Sequence, residues 1–450
     1  KIKGSYSNVH DVFTQNKQRA NNDDSTGVAT PTISGLDGLE VELTDDPVSL
    51  ANLLNIQNDY NTGVITAKVE ARTKTQLLLE TTSGTNDLAS GNKLALTVTD
   101  DTFTAAELLE LNSMTTGTIN LTHTGARNEP LITGSAADLA TIFSAKVADG
   151  ANGFLTGALG DADATTTDSV VLAADLHTIA DATSGTLTMS TVTRITGLIA
   201  DVDGFYDDVA NANNVSGNGN EDITLTDATL NAATFTGILG NGAQATTGDI
   251  TVVGSAIEGT TAQLKALFVD TYNNAAGGLI NQFTVDSGGA NAQINGIAGI
   301  NMTVSDAITA ADARLLTAET TGIVTATINS NQTVANLLNS STGLNEATSS
   351  SFAGHAFTIN LSDSNVTAAN LNTLATLTSG TISIDTDANT QGTQSPGLSG
   401  TITDINTAYG NSRVSGLGGS AVTITGGASV AQINALTTSG VITASVTEGD

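Results

Sequence analysis

Two short stretches carry carboxylates at a spacing that a hard cation could use. GDADATTTD, from Gly160 to Asp168, offers Asp161, Asp163 and Asp168; DTDANT, from Asp385 to Thr390, offers Asp385 and Asp387. Oxygen-rich loops of this kind suit Ca²⁺, which takes several carboxylate and carbonyl ligands. Neither stretch forms a twelve-residue EF-hand loop, and SGNGNEDIT (Ser216–Thr224) is a poor match to the glycine–aspartate nonapeptide. Ca²⁺ is therefore the one metal expectation, with solvated acidic loops as the alternative, and no other cofactor is expected. The four histidines, His10, His123, His177 and His355, are scattered and form no H-x-x-x-H or H-x-x-E-H pattern. They read as surface or strand residues. The chain has no G-x-S-x-G elbow, no Walker loop and no G-x-G-x-x-G after a strand; Gly-rich SGLGGSA (Ser415–Ala421) reads as a turn. No catalytic residue stands out, and an enzyme is not expected.

Charge narrows the partners. In 450 residues there are 45 acidic and only 14 basic side chains, a net charge of -31. Such a chain repels phosphate backbones and anionic lipid surfaces, so neither nucleic acid nor a membrane surface is an expected partner. No apolar run approaches the roughly 20 residues of a spanning helix, so membrane insertion is not expected. Cysteine and Trp are absent and aromatics make up 3%. Without Cys there is no disulfide framework, no thiolate metal site and no thiol redox chemistry. This composition suits a large secreted or surface protein. A start at Lys1 without Met points to a processed chain or a piece of a longer one.

What must position any of these groups is a repeated element. TAANLNTLATLTSGTISI (Thr367–Ile384) returns as TAAELLELNSMTTGTINL (Thr104–Leu121), TAADARLLTAETTGIVTATI (Thr309–Ile328) and SVAQINALTTSGVITASV (Ser429–Val446). Each begins as a helix N-terminus. Thr104 and Glu107 have capping-box spacing, with Phe103 and Leu108 as a hydrophobic staple. Val48/Leu53 and Val366/Leu371 repeat the staple; Ser429/Gln432, Thr260/Gln263 and Ser135/Asp138 repeat the capping start. Leu371, Leu374 and Leu377 then share a helix face. A T-[ST]-G turn follows, whose Gly is expected to close the helix in the left-handed conformation. Ile382 and Ile384 alternate as in a strand with one buried face.

A second helix–strand element lies between these. Its helices read SAADLATIFSAKV (Ser135–Val147), TAQLKALFVDTYN (Thr261–Asn273) and TITDINTAYGN (Thr401–Asn411). Five of its strands end in [TS]-D, at Asp45, Asp100, Asp227, Asp306 and Asp363. Each Asp is expected to bond nearby amides and turn the chain toward the next helix. Marking units by the turn glycines Gly63, Gly117, Gly185, Gly248, Gly322, Gly380 and Gly440 gives about seven units of two coils each. Strand–helix–strand connections are almost always right-handed. The expected fold is α/β, a right-handed solenoid of short strand–helix coils carrying a parallel sheet, over residues 38–450. The stretch Ile199–Val253 is the least regular, and LINQFTV (Leu279–Val285) suggests an inserted coil.

Residues 1–37 lack the repeat and form a separate segment, read either as a flexible leader or as an attachment arm for a neighbouring subunit. It carries Lys1, Lys3, Lys17 and Arg19, which complement the acidic body. At the other end, VITASV (Val441–Val446) has no polar terminating coil after it, and an open parallel edge invites another chain.

The unit T-x-A-x-L-x-x-L-x-x-x-T-[ST]-G-x-[IV]-x-A resembles repeats in giant surface proteins of marine cyanobacteria. It is similar also to repeats in structural fibre and appendage proteins of their viruses. The resemblance covers residues 38–450 and implies an extracellular, cell-surface or virion location, self-association and no catalytic residues. The leading expectation is a non-enzymatic structural protein, part of a filament or appendage. The rival is an adhesin or receptor-binding fibre recognising cell-surface glycans, although sugar platforms use exposed aromatics. The only adjacent aromatic pair, Phe205–Tyr206, reads as packing inside its own unit. A polysaccharide lyase is the third, disfavoured because the few Lys and Arg are spread along the chain.

Overall fold

The structure is a computed structural model. It describes residues 1–21, 33–60, 63–82, 91–122, 129–145, 159–212, 214–235, 246, 248–268, 272–273, 279–280, 294–297, 299–329, 332–344, 352–384 and 396–447. The chain is mixed α/β with several parallel sheets, divided into one compact unit of residues 1–197 and 204–222 and another of 198–203 and 223–450.

In the first unit, strands Ile2–Gly4, Val41–Leu43, Ile65–Lys68, Lys93–Val98 and Ile119–Leu121 lie side by side in that order, all parallel. A second parallel series runs Thr102–Thr104, Leu131–Gly134, Asp163–Thr166, Leu187–Thr188, Val215–Ser216, and Val170–Leu172 pairs with Arg194–Gly197. Helices Lys74–Thr82, Ala105–Met114, Ala136–Ala145 and Ala173–Ala182 each pack on the next. In the second unit, Thr229–Asn231, Ala256–Gly259, Asn301–Ile308, Val324–Ile328, Ala356–Asn360, Ile382–Ser383 and Val414–Ser415 form one parallel series. Asn365–Thr367, Gly397–Gly400, Val422–Ala428 and Ile442–Val446 form another. Strand neighbours thus come from successive passes of the chain, as the period-2 and helical patterns require.

The packing logic is visible in one pass. Leu94, Leu96 and Val98 alternate inward from their strand, and Ala105, Leu108, Leu111 and Met114 line the inner face of the following helix; all seven are buried. Burying a Leu side chain stabilises by about 1.5–3 kcal/mol. Phe103 and Leu108, the expected staple, are both buried. The capping box at Thr104 is formed: its hydroxyl accepts from the Glu107 amide at 3.2 Å, and Glu107 Oε2 accepts from the Thr104 amide at 2.8 Å.

Two local expectations are corrected. The turn glycines Gly63, Gly117, Gly185, Gly322, Gly380 and Gly440 do not take the left-handed conformation; other glycines, such as Gly217 and Gly416, do. Their constraint is a close approach between strands. A Cβ at Gly117, Gly185, Gly322 or Gly380 would lie 2.3 Å from a carbonyl oxygen of the preceding strand region. The Thr two residues before completes the joint. Thr378 Oγ1 accepts from the Phe357 amide at 2.8 Å and the Gly380 amide at 2.9 Å, and faces the Phe357 carbonyl at 3.0 Å. Thr115 repeats this on Leu94 and Gly117. Thr183, Thr320 and Thr438 donate to Ala162, Ile300 and Ser420. The T-[ST]-G signature is therefore an inter-strand joint.

The strand-end aspartates are the second correction. They bond remote amides, not local ones. Asp45 accepts from Tyr6, Asp100 from Lys74, Asp227 from Ile199, Asp306 from Thr261 and Asp363 from Val334, at 2.5–2.8 Å and 26–45 residues away. Each of these amides opens a helix. A helix N-terminus leaves N–H groups unsatisfied and carries partial positive charge, so a carboxylate is well placed there. At four other helix starts, Ala105, Ala173, Ala232 and Ala368, the opening Ala is met by a glycine of the next strand. A Cβ at Gly134 would lie 2.6 Å from that of Ala105; Gly259 stands in the same relation to Ala232 at 2.7 Å. The two kinds of helix start are the physical basis of the two kinds of sequence element.

The N-terminal segment is built into the first sheet of its own chain. Ile2–Gly4 pairs with Val41–Leu43, and helix Tyr6–Asn21 buries Val9 and Phe13. Lys1 and Lys3 both reach Glu42, at 2.7 and 2.5 Å, and hold its carboxyl down to about 2. The basic residues Lys1 and Lys3 thus complement an acidic partner within the chain.

Candidate functional site

The carboxylates singled out in Gly160–Asp168 do not converge. Asp161 is exposed. Asp163 Oδ1 accepts from the Thr186 amide at 2.9 Å, and Asp168 Oδ2 from the Ala136 amide at 2.7 Å, as a further helix-opening cap. Asp385 and Asp387 lie outside the described residues.

Among the described residues, one group of His and Asp side chains does converge: His177, Asp181 and Asp208, in the first unit, with one ligand atom from each lying within 4.8 Å of the others. Helix Ala173–Ala182 supplies His177 and Asp181, four apart and hence on one face. The helix forms because Ala173, Leu176 and Ile179 bury against the sheet, which leaves His177 and Asp181 on an outer stripe. Asp208 comes from helix Ile199–Ala212, anchored by the buried Val202, Phe205, Tyr206 and Val209. Phe205 and Tyr206 are thus core residues, with ring centroids 5.3 Å apart.

The imidazole is held on two sides. His177 Nδ1 and Asp208 Oδ2 share a hydrogen bond of 2.5 Å. Against its edge lies Gly204, where a Cβ would come within 3.3 Å of Cε1 and Nε2. Burial pushes the Asp208 carboxyl up from its ordinary value, opposed by His177 and reinforced by Asp181 and Asp207. His177 and Asp181 carry no sequence motif; their relation to Asp208 depends on stacking of two helices 31 residues apart.

His355 is a different case. It is buried, and its Nδ1 accepts from the Val324 amide at 3.0 Å across adjacent strands. Burial pushes its pKa below the usual imidazole value. Asn92 does the same work in the first unit, its Oδ1 accepting from the Ile65 amide at 2.8 Å. His10 stands in an aromatic group that the sequence did not reveal: Tyr6 and Tyr60 flank it at 5.2 and 5.9 Å, and Phe13 stacks on Tyr60 at 4.9 Å. Tyr60 Oη and Thr14 Oγ1 are 2.6 Å apart, tying helix Tyr6–Asn21 to the end of helix Leu50–Asp59. His123 lies outside the described residues.

The last pass of chain presents an apolar surface. Helix Val430–Asn434 buries none of its residues, and Val430, Val441 and Val446 are 54%, 74% and 52% exposed. Leu371 and Leu374, which occupy the same repeat positions as Ile433 and Leu436, are fully buried. The outer edge of Ile442–Val446 has no strand partner among the described residues.

No described helix is long and apolar enough to cross a membrane. Compared with known proteins, the chain matches no family model, no curated protein and no solved structure.

Proposed function

We propose that the chain is a non-enzymatic structural protein: a right-handed solenoid of strand–helix coils that forms part of an extracellular, cell-surface or virion filament. The observation carrying this reading is the incompletely covered apolar face of the pass Ser429–Val446. Ile433, Leu436 and Ile442 stand where other passes fully bury Leu or Ile against the next one, and here they are only half-buried among the described residues. A coil cannot bury its apolar face alone, so the surface is completed by a further coil of the same shape. A second copy can supply it through the outer edge of Ile2–Gly4, whose described pairing is on one side only. Head-to-tail contact of this kind generates an open filament when its rotation does not close into a ring.

Electron microscopy and light scattering of the purified chain test this. End-to-end particles that Val441→Asp and Ile442→Asp dissolve support it; wild-type chain that stays monomeric at high concentration and moderate salt removes it. A second reading, a glycan-binding adhesin, draws support from the partly exposed rings of Tyr6, His10 and Tyr60. Discrete monomers retained on a glycan array, with retention lost in Tyr60→Ala, would favour that reading instead.

A further inference from the structure

We propose that His177, Asp181 and Asp208 bind a divalent transition-metal cation that joins helix Ala173–Ala182 to helix Ile199–Ala212. At two other joints successive helices are joined by a fixed positive charge: Lys74 meets Glu107 at 2.7 Å and Lys265 meets Asp312 at 2.9 Å. At the corresponding joint here the lysine is absent. An imidazole takes its place and a second carboxylate, Asp181, joins, with Asp207 close enough to act on Asp208 electrostatically. The joint therefore gathers one imidazole and two carboxylates within 4.8 Å of one another, a donor set for an added divalent ion.

The donor set selects the class of metal. One imidazole nitrogen and two carboxylates suit Zn²⁺, Mn²⁺ or Co²⁺, whereas Ca²⁺ and Mg²⁺ favour all-oxygen sites. Three protein ligands leave a coordination position for water. The 2.5 Å contact between His177 Nδ1 and Asp208 Oδ2 already brings two of the three ligands together, and a bound ion would displace the proton they share. Gly204 is the independent structural mark of the site. A glycine within a helix costs about 1 kcal/mol relative to Ala, and here any side chain would crowd the ring. The backbone thus makes room for an imidazole held in one place.

Chelator-stripped full-length chain titrated with CoCl₂ tests the proposal, in buffer containing excess Mg²⁺ to saturate non-specific carboxylates. The expected result is one equivalent of Co²⁺ bound, with visible d–d absorption, displaced by Zn²⁺, and a raised Tm. His177→Ala and Asp181→Asn should both abolish the band, whereas Asp161→Asn should leave it unchanged. Asp181 is exposed, so its variant folds and isolates the ligand role. Wild-type chain that gives no band and no Tm shift overturns the proposal and leaves a plain His–Asp hydrogen bond between helices. Binding that survives both His177→Ala and Asp181→Asn overturns it equally.

Discussion

Single side chains at the strand joints carry more than their surface chemistry suggests. Thr378 is fully buried with its hydroxyl engaged by two amides and facing a carbonyl. Thr378→Val keeps the shape and strands the Phe357 amide, which should cost about 1–3 kcal/mol; Thr378→Ser should recover most of it. Gly380→Ala should cost at least as much, because the added methyl meets the Phe357 carbonyl at 2.3 Å and the ladder must part. Urea denaturation of the three variants would check the order. His355 supplies a pH test. Its folded pKa is depressed by burial, so the neutral ring is the form that folds. Below about pH 6.5 the unfolded chain takes up a proton that the folded one resists. Stability should therefore fall as pH drops through that range, by at most about 1.4 kcal/mol per pH unit from this residue. His355→Asn keeps an acceptor for the Val324 amide, as Asn92 does for Ile65, and should flatten that part of the profile. An unchanged profile would show that His355 is not the source.

Helices and strands in this chain are fastened to each other by two devices. Some helices open under a strand-end carboxylate; others, at Ala105, Ala173, Ala232 and Ala368, open with Ala under a strand glycine. The carboxylate device predicts the effect of its removal. Asp100→Ala or Asp168→Ala should each cost about 1 kcal/mol, the usual loss on deleting an N-terminal cap reinforced by the helix dipole. Asn at either position should lose less, since it keeps an acceptor and gives up only charge. Calorimetry would read these differences, and added Ca²⁺ should not restore Asp168→Ala, because Asp168 serves the Ala136 amide. Were Ca²⁺ to stabilise wild-type chain and not that variant, Asp168 would be a metal ligand after all. Helix Val430–Asn434 keeps its capping box at Ser429 yet buries nothing, so cap and covering surface are separate contributions. Hydrogen exchange should find Ile442–Val446 the fastest-opening described strand of its series unless another copy covers it.

For the molecule entire, a net charge of -31 sets the conditions under which the proposed filament can grow. Copies of like charge repel, and salt screens that repulsion within about 10 Å at 0.1 M. End-to-end association driven by the apolar surface around Val441 and Val446 should therefore strengthen between roughly 20 mM and 300 mM NaCl, the opposite of an interface built on ion pairs. Sedimentation velocity across that range checks the sign. Weakening with salt would point to the Lys1 and Lys3 end as an electrostatic contact and would count against an apolar one.

Periodicity and composition were enough to read the elements: where Leu recurs at helical spacing and Ile alternates, helices and parallel strands followed, and Thr104 capped its helix as the spacing required. Those signals are local, because 3.6- and 2-residue periods are properties of consecutive side chains. What the T-[ST]-G and [TS]-D signatures are for was not legible, since their partners lie roughly 20–45 residues away in the chain. A Gly can look like a helix stop when its real constraint is a neighbour's carbonyl; an Asp can look like a turn when it caps a distant helix. The His177, Asp181 and Asp208 group was hidden for the same reason, because only the stacking of two helices brings the third side chain to the other two. Sequence distance fixes what a residue can do to its own element; which remote backbone it meets is decided by packing alone.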